Sequence, residues 1–396
     1  MAIVVQNSCS RMATATKVPR VQLFTLGYGP AEDQINLFQV EGTDSSVKTR
    51  MTMRDGVFYI SNGPAAKVLR ISSYGDILSM IYNPSRNAGQ AVGQGKLGGG
   101  PGRSVTAWPL SAPGEIAVDS KGSMYVEDRM PKDRWVTDQG TGSLYDNAVL
   151  RFDKDGNFQD YLGQEGVGGT PFPYILGIYT TASDDVVVIS LMPNAWMVHW
   201  FEPKGSLRNS LKIPREALPR LGGDDGILAS LVKIVPDSQG RAVILQVDYS
   251  REIVDPQTKS RSGIEYAGSW LYRMDLVKGT ISDRWEIPPL DETSPNGDGS
   301  GRTSSYPLVP ELLGTVGDRF FFVSIDDKSN ASIAILNRAN KNMERFPIEI
   351  GSDELFFNTM SLSPDGVLSA LLGTKYEARV VWWRFDHIGR KDAGAP

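Results

Sequence analysis

Residues 113–128 read PGEIAVDSKGSMYVED, and residues 147–162 read NAVLRFDKDGNFQDYL. Each stretch is a short alternating run, a polar tight turn with glycine, and a second short run. Ile116 and Val118 fall on one side of their run, as Met124 and Val126 do on the next, which is the period of a pleated strand. Asp, Ser, Lys and Gly at the turns supply the local hydrogen bonds and the positive φ that such reversals need. Two hairpins in succession make a unit of four antiparallel strands.

The unit recurs. Its first turn sits in MRDGVFYIS (Gly56), VDSKGSMYV (Gly122), TASDDVVVIS (Asp185), PDSQGRAVILQV (Gly240), TVGDRFFFVSI (Gly317) and SPDGVLSALL (Gly366). Its second turn follows at Gly75, Gly156, Gly205, Gly279, near Lys341 and at Gly389. Six four-stranded units, each with two faces to bury against neighbours, predict an all-β, six-bladed β-propeller spanning residues 20–390. The sixth unit stops after its third strand, and residues 391–396 read as a tail. RVQLFTLGYGP (20–30) reads as a strand with no unit of its own, so it is expected to supply the missing fourth strand and close the ring. Two separate β domains are the alternative topology.

The motif of the second unit resembles the NHL repeat, in which a VD-x-x-G-x-x-YV-x-D hairpin precedes x-V-x-x-F-D-x-x-G-x-F. The first and third units match less closely, and the last three match in turn placement and apolar pattern. The resemblance implies an NHL-like six-bladed propeller. It does not fix an activity, because propellers of this type include binding modules, signalling ectodomains, lactonases and lyases.

Composition narrows the field. Among 396 residues, 41 Lys and Arg against 46 Asp and Glu leave a net charge of −5, which argues against a nucleic-acid binder. No run of apolar residues is long enough to span a bilayer. One cysteine excludes an internal disulfide framework, and two histidines leave little for zinc chemistry.

Extra sequence collects in four places: 129–146 and 250–268, between the second and third strands of a unit, and 83–109 and 288–307, between units. In an up-and-down sheet those connections emerge at one end, so all four are expected on one face of the ring, the candidate binding surface. Its predicted contents are Arg103 and Trp108, then Arg129, Lys132, Arg134 and Trp135, then Arg251, Arg261 and Tyr266, then Arg302 and Tyr306. Arg and aromatic side chains of this kind serve protein, peptide or glycan ligands.

Motifs for chemistry are sparse. SPNGDGSG (294–301) has the alternating oxygens of a calcium loop but lacks an acid at Ser294 and a glutamate near Ser305, so it reads as a linker and no cofactor is expected. GQGKLGGGPG (93–102) lacks the ending of a phosphate-binding loop. Lactonase-type propellers hold a channel cation through Glu, Asp and Asn, for which Glu115, Asn62, Asn194 and Asn358 are the candidates. His199, in MVHWF, reads as a strand histidine, and His387 sits at the last turn. The leading expectation is therefore a monomeric, non-catalytic binding propeller, with a metal-dependent hydrolase or lactonase as the alternative.

Residues 1–19 carry Cys9 ahead of a Ser/Thr/Ala-rich tether. A lipidated cysteine at this position would anchor the propeller outside the cytoplasm. Only residues 3–5 are apolar, shorter than a signal peptide requires, so this reading needs an earlier start codon. A cytoplasmic protein with a free thiol is the alternative.

Overall fold

A computed structural model describes residues 17–38, 47–87, 103–164, 168–222, 226–255, 257–258, 260–295, 303–326, 330–351 and 355–388. The chain forms six antiparallel sheets arranged as blades. Blade 1 holds Thr49–Arg54, Val57–Asn62, Lys67–Ser72 and Ile77–Tyr82; blade 2 holds Ile116–Val118, Met124–Arg129, Asn147–Phe152 and Phe158–Tyr161. Blade 3 holds Tyr174–Thr180, Val186–Met192, Ala195–Phe201 and Leu207–Pro214; blade 4 holds Ile227–Pro236, Ala242–Val254, Arg261–Asp275 and Ile281–Glu286. Blade 5 holds Glu311–Val316, Arg319–Ile325, Ala331–Asn337 and Met343–Ile348.

Blade 6 takes Phe357–Leu362, Val367–Gly373 and Ala378–Arg384 from the end of the chain and Val21–Tyr28 from its beginning. The closing register pairs Val21 with Trp382 and Leu26 with Ala378, with one irregularity between Gln22 and Phe24. Tyr28 locks the end of the strand by sharing its hydroxyl proton between the carbonyls of Thr374 and Glu377, at 2.6 and 2.8 Å.

The apolar interior is divided among the blade interfaces. Six buried clusters occur, one between each adjacent pair of blades. Blade 3 shows how the sequence builds them: Val186 and Val188 pack toward blade 2, whereas Val187 and Ile189 pack toward blade 4. With both parities of a period-two strand buried, the middle strands read as unbroken apolar runs. The innermost strands of neighbouring blades pack side by side at five of the six junctions, the junction of blades 3 and 4 being the looser one, and leave a channel on the axis.

Positive φ falls where the turn spacing predicts it, at Gly122, Gly156, Gly205, Gly279, Gly366 and Lys341. In blade 3 it is Asp184 that takes the left-handed position, at φ 60°. Asp185 instead accepts a hydrogen bond from the Trp200 indole at 2.9 Å.

Three connections carry more order than the sequence suggests. Ser104–Ala107, within the first inter-blade connection, runs parallel to Ile77–Tyr82 as a fifth strand. Gln34–Ile35 does the same beside the closing strand. Both cover an outer edge that would otherwise present unpaired backbone groups. Leu290–Pro295 pairs with Thr303–Leu308 as a hairpin where a linker was expected, its tip lying outside the described residues. Short polar segments do not announce such pairing, because the partner edge supplies the register.

Candidate functional site

Each inner strand runs from the face carrying strand 2–3 and inter-blade connections to the face carrying tight turns. Three of the four insertions therefore share one end, as expected. They are the short ribbon of Val136–Thr137 with Leu144–Tyr145, the prolonged hairpin of Ala242–Val254 with Arg261–Asp275, and the 290–308 hairpin. The described part of the fourth runs along the outer edge of blade 1, where Ser104 Oγ donates to the Asp155 carbonyl in the strand 3–4 turn of blade 2, so its end beside Arg103 departs from the expected face.

The channel below that face is a cavity of about 670 Å³. Each inner strand, or the residue beside it, contributes a polar side chain: Arg50, Glu115, Tyr179, Lys233, Glu311 and Asn358 from blades 1 to 6 in turn. Arg50 Nε donates to Glu115 Oε1 at 2.8 Å, and Lys233 Nζ to Glu311 Oε1 at 3.0 Å. Tyr179 lies between these pairs, and its ring occupies space that a Cβ on Gly177 would contest at 2.8 Å. Burial pushes its hydroxyl above the usual tyrosine range, while Lys233 and the nearby Arg50 pull the other way.

The inner strands of blades 3, 4 and 5 each carry a register irregularity, between Ile175 and Gly177, Leu231 and Lys233, and Leu312 and Gly314. A bulge resets which side chains face the channel. In blade 4 the irregularity falls beside Lys233, at the level where its charge meets Glu311.

Beside the mouth sits a buried cation. Lys48 Nζ lies 3.0 and 2.9 Å from the two oxygens of Glu127, donates to the carbonyl of Ile175 at 2.6 Å, and stands 4.3 Å above the Tyr174 ring. It therefore ties blades 1, 2 and 3 together. Glu127 also accepts the Glu115 backbone N–H at 2.7 Å. Burial raises the Glu127 carboxyl, and Lys48 opposes that rise. Gly114 leaves the space that the Glu127 carboxylate occupies.

The predicted binding residues have varied surroundings. Arg103 forms a buried ion pair with Glu32. Trp108 stacks on Phe158 at 4.0 Å and packs against the cluster between blades 1 and 2. Arg129 meets Asp146 at 3.4 Å across the base of the blade 2 ribbon. Arg134 is exposed beside Asp133, while Trp135 donates its indole N–H to the Met130 carbonyl at 2.9 Å. Lys132 lies over the Trp135 ring, 5.9 Å from its centroid.

Arg251 is exposed and Tyr266 half-buried, opposite neighbouring residues of the blade 4 hairpin; Arg261 pairs with Glu252 at 3.1 Å. Tyr306 lies opposite Glu292 in the third hairpin. Arg302 and Cys9 fall outside the described residues. The structure thus brings Arg129, Lys132, Arg134 and Trp135 onto one insertion and Arg251, Arg261 and Tyr266 onto another.

Of the channel candidates, Glu115 and Asn358 line the cavity, with Glu115 engaged by Arg50 and, at 3.6 Å, by Lys48. Asn62 is buried and bonded to Asn36 and Thr49. Asn194 lies in the turn between Met192 and Ala195 of blade 3. His199 packs edge-on to Phe172 at 5.2 Å. Among the described residues, no three His, Cys, Asp or Glu side chains converge to hold a metal. Sequence reasoning missed Lys48, Arg50, Tyr179, Lys233 and Glu311. The available signal was a charged residue inside an otherwise apolar first strand, as in LVKIVP.

No family model matches the sequence, and no curated protein matches it. Among solved structures, it resembles a streptogramin B lyase at 13% identity and TM-score 0.37, over 88% of this chain and 96% of that one. It resembles a gluconolactonase from Xanthomonas campestris at 10% identity and TM-score 0.40, over 93% and 99%. It also resembles the β-propeller domain of the Trilobed protease from Pyrococcus furiosus at 7% identity and TM-score 0.41, over 86% and 96%. These likenesses bear on no activity; by its own strand order the chain is an all-β, six-bladed β-propeller closed by its N-terminal strand.

Proposed function

We propose that this propeller is a non-catalytic binding module that recognises a protein or peptide through its insertion-bearing face. The supporting observation is where large apolar side chains meet solvent. Tyr174, Leu228 and Val232 are exposed along the inner strands of blades 3 and 4. Val136, Leu144, Ile253, Val254 and Ile264 are exposed on the two ribbons. Exposed apolar groups set among Arg and aromatic residues suit a partner interface better than a solvated rim, whereas those at the tight turns, Tyr74 and Val277, stand on separate blades. A glycan would be served mainly by the aromatic members of the set.

This reading is preferred to a channel hydrolase because Arg50 and Lys48 set two positive charges against Glu115, which opposes a metal ion there, and Asn62 is bonded to Thr49 of its own blade. The NHL-like motif of blade 2 is compatible with either. We read Cys9 and its tether with the binding role, as a lipid anchor holding the propeller outside the cytoplasm.

The test compares crosslinked partners of three proteins: wild type, an Arg134→Ala/Trp135→Ala/Ile264→Asp variant, and a Tyr74→Asp/Val277→Asp control on the opposite face. Partners that disappear only with the insertion-face variant support the proposal. Partners retained by that variant, or lost with the control, overturn it. Mass spectrometry of Cys9 in the same full-length preparation reads the anchor directly.

A further inference from the structure

The channel ring offers a chemistry of its own, independent of the outer face. Around the axis the side chains run Arg50, Glu115, Tyr179, Lys233, Glu311 and Asn358, so cation and anion alternate, with a neutral donor after each pair. Hydrogen-bonding capacity is left over. Arg50 spends Nε on Glu115 and Nη1 on the Thr49 carbonyl, leaving Nη2. Glu115 and Glu311 each use Oε1 alone. Among the described residues, neither the Tyr179 hydroxyl nor the Asn358 amide makes a hydrogen bond.

One of the two ion pairs is also exchangeable. Arg50 and Glu115 are 37% and 13% exposed, and Lys233 and Glu311 are 35% and 53% exposed. The Lys233–Glu311 pair, open to solvent on both sides, contributes about 0–1 kcal/mol and yields readily to a ligand; Glu115, mostly buried, keeps Arg50 on Oε1 and offers its second oxygen. The cavity, at about 670 Å³, falls within the range of small-molecule sites.

We infer that the channel binds a free α-amino acid with an aliphatic side chain, held as a zwitterion by the alternating ring. Its carboxylate takes Arg50 Nη2 and the Tyr179 hydroxyl. Its ammonium takes the free oxygens of Glu115 and Glu311. In an α-amino acid the two charges sit on adjacent carbons, which matches pairs whose partners are themselves 2.8 and 3.0 Å apart. Leu176, Leu313 and Met360, which also line the cavity, receive the side chain. A simple anion or cation satisfies only half of the ring and leaves the other half as it was.

Isothermal titration of the full chain with L-leucine, N-acetyl-L-leucine and L-leucinamide tests this. Saturable binding of L-leucine is expected, with each capped analogue weaker by about tenfold or more, the size of one lost charge-assisted hydrogen bond. Glu311→Gln, at an exposed position, is expected to weaken L-leucine binding by about tenfold while leaving N-acetyl-L-leucine unaffected and the thermal midpoint in place. Arg50→Met tests the opposite charge should that variant fold poorly, with L-leucine binding expected to fall. No heat from any of the three ligands overturns the proposal. So does equal affinity for leucine and its capped forms, or insensitivity of leucine binding to both variants.

Discussion

His199 shows how one side chain couples the fold to pH. Burial in blade 3 depresses its pKa from 6.5 to about 4. Between those values the unfolded chain takes up a proton that the folded chain refuses. Stability therefore falls as pH drops from about 6.5, and the loss is complete below about 4. His199→Phe keeps an aromatic ring against Phe172 and removes the titration. Urea midpoints at about pH 7 and pH 4 should then differ less in the variant than in the wild type. An equal drop in both would place the acid sensitivity elsewhere. Asp128 acts with the opposite sign: burial raises its carboxyl to about 6, so its contribution declines as pH rises from 3.8 through that value. Neither effect was readable in the sequence, where HW and ED are ordinary strand residues; both arise from what the neighbouring blades remove from water.

Among the elements, the closing strand Val21–Tyr28 is the one whose partner lies at the far end of the chain. Its hold on the ring comes from alternate side chains. Phe24 and Leu26 enter the cluster between blades 6 and 1, and Phe24 meets Phe58 edge-on at 5.6 Å. Val21 and Gln22 remain exposed. Phe24→Ala should destabilise by about 3–5 kcal/mol, through lost burial and the cavity left behind. Val21→Ala should stay within about 0.5 kcal/mol. Chemical denaturation of the two variants separates the cases, and equal effects would mean that the strand is held by its backbone ladder alone. The strand was legible in VQLFTL because it alternates and has no unit of its own. The 290–308 hairpin was not, since nothing in its polar composition distinguishes a paired segment from a linker.

At the scale of the molecule, the ring is closed by contacts between residues as far apart as Tyr28 and Glu377, a separation of 349. Bringing such distant segments together slows folding more than it lowers stability. A circular permutant tests this. Joining residue 388 to residue 20 by a short linker, and opening the chain between Gly222 and Gly223 in the connection between blades 3 and 4, makes every blade a continuous four-stranded meander. The permutant is expected to keep the thermal midpoint within a few degrees and to refold faster. Slower refolding, or a non-cooperative melt, would show that ring closure is not what limits the reaction.

By itself the sequence determined the number of blades, the position of the turns, the closing strand and the face on which three of the four insertions gather. All of these follow from local rules: period-two alternation, residues suited to positive φ, and the fixed up-and-down order of an antiparallel sheet. Only the tertiary structure decided the channel. Arg50, Glu115, Tyr179, Lys233, Glu311 and Asn358 stand far apart in the chain, one to a blade, and no spacing rule groups them. They meet because six inner strands converge on one axis, and bulges in three of those strands set which side chains the axis receives.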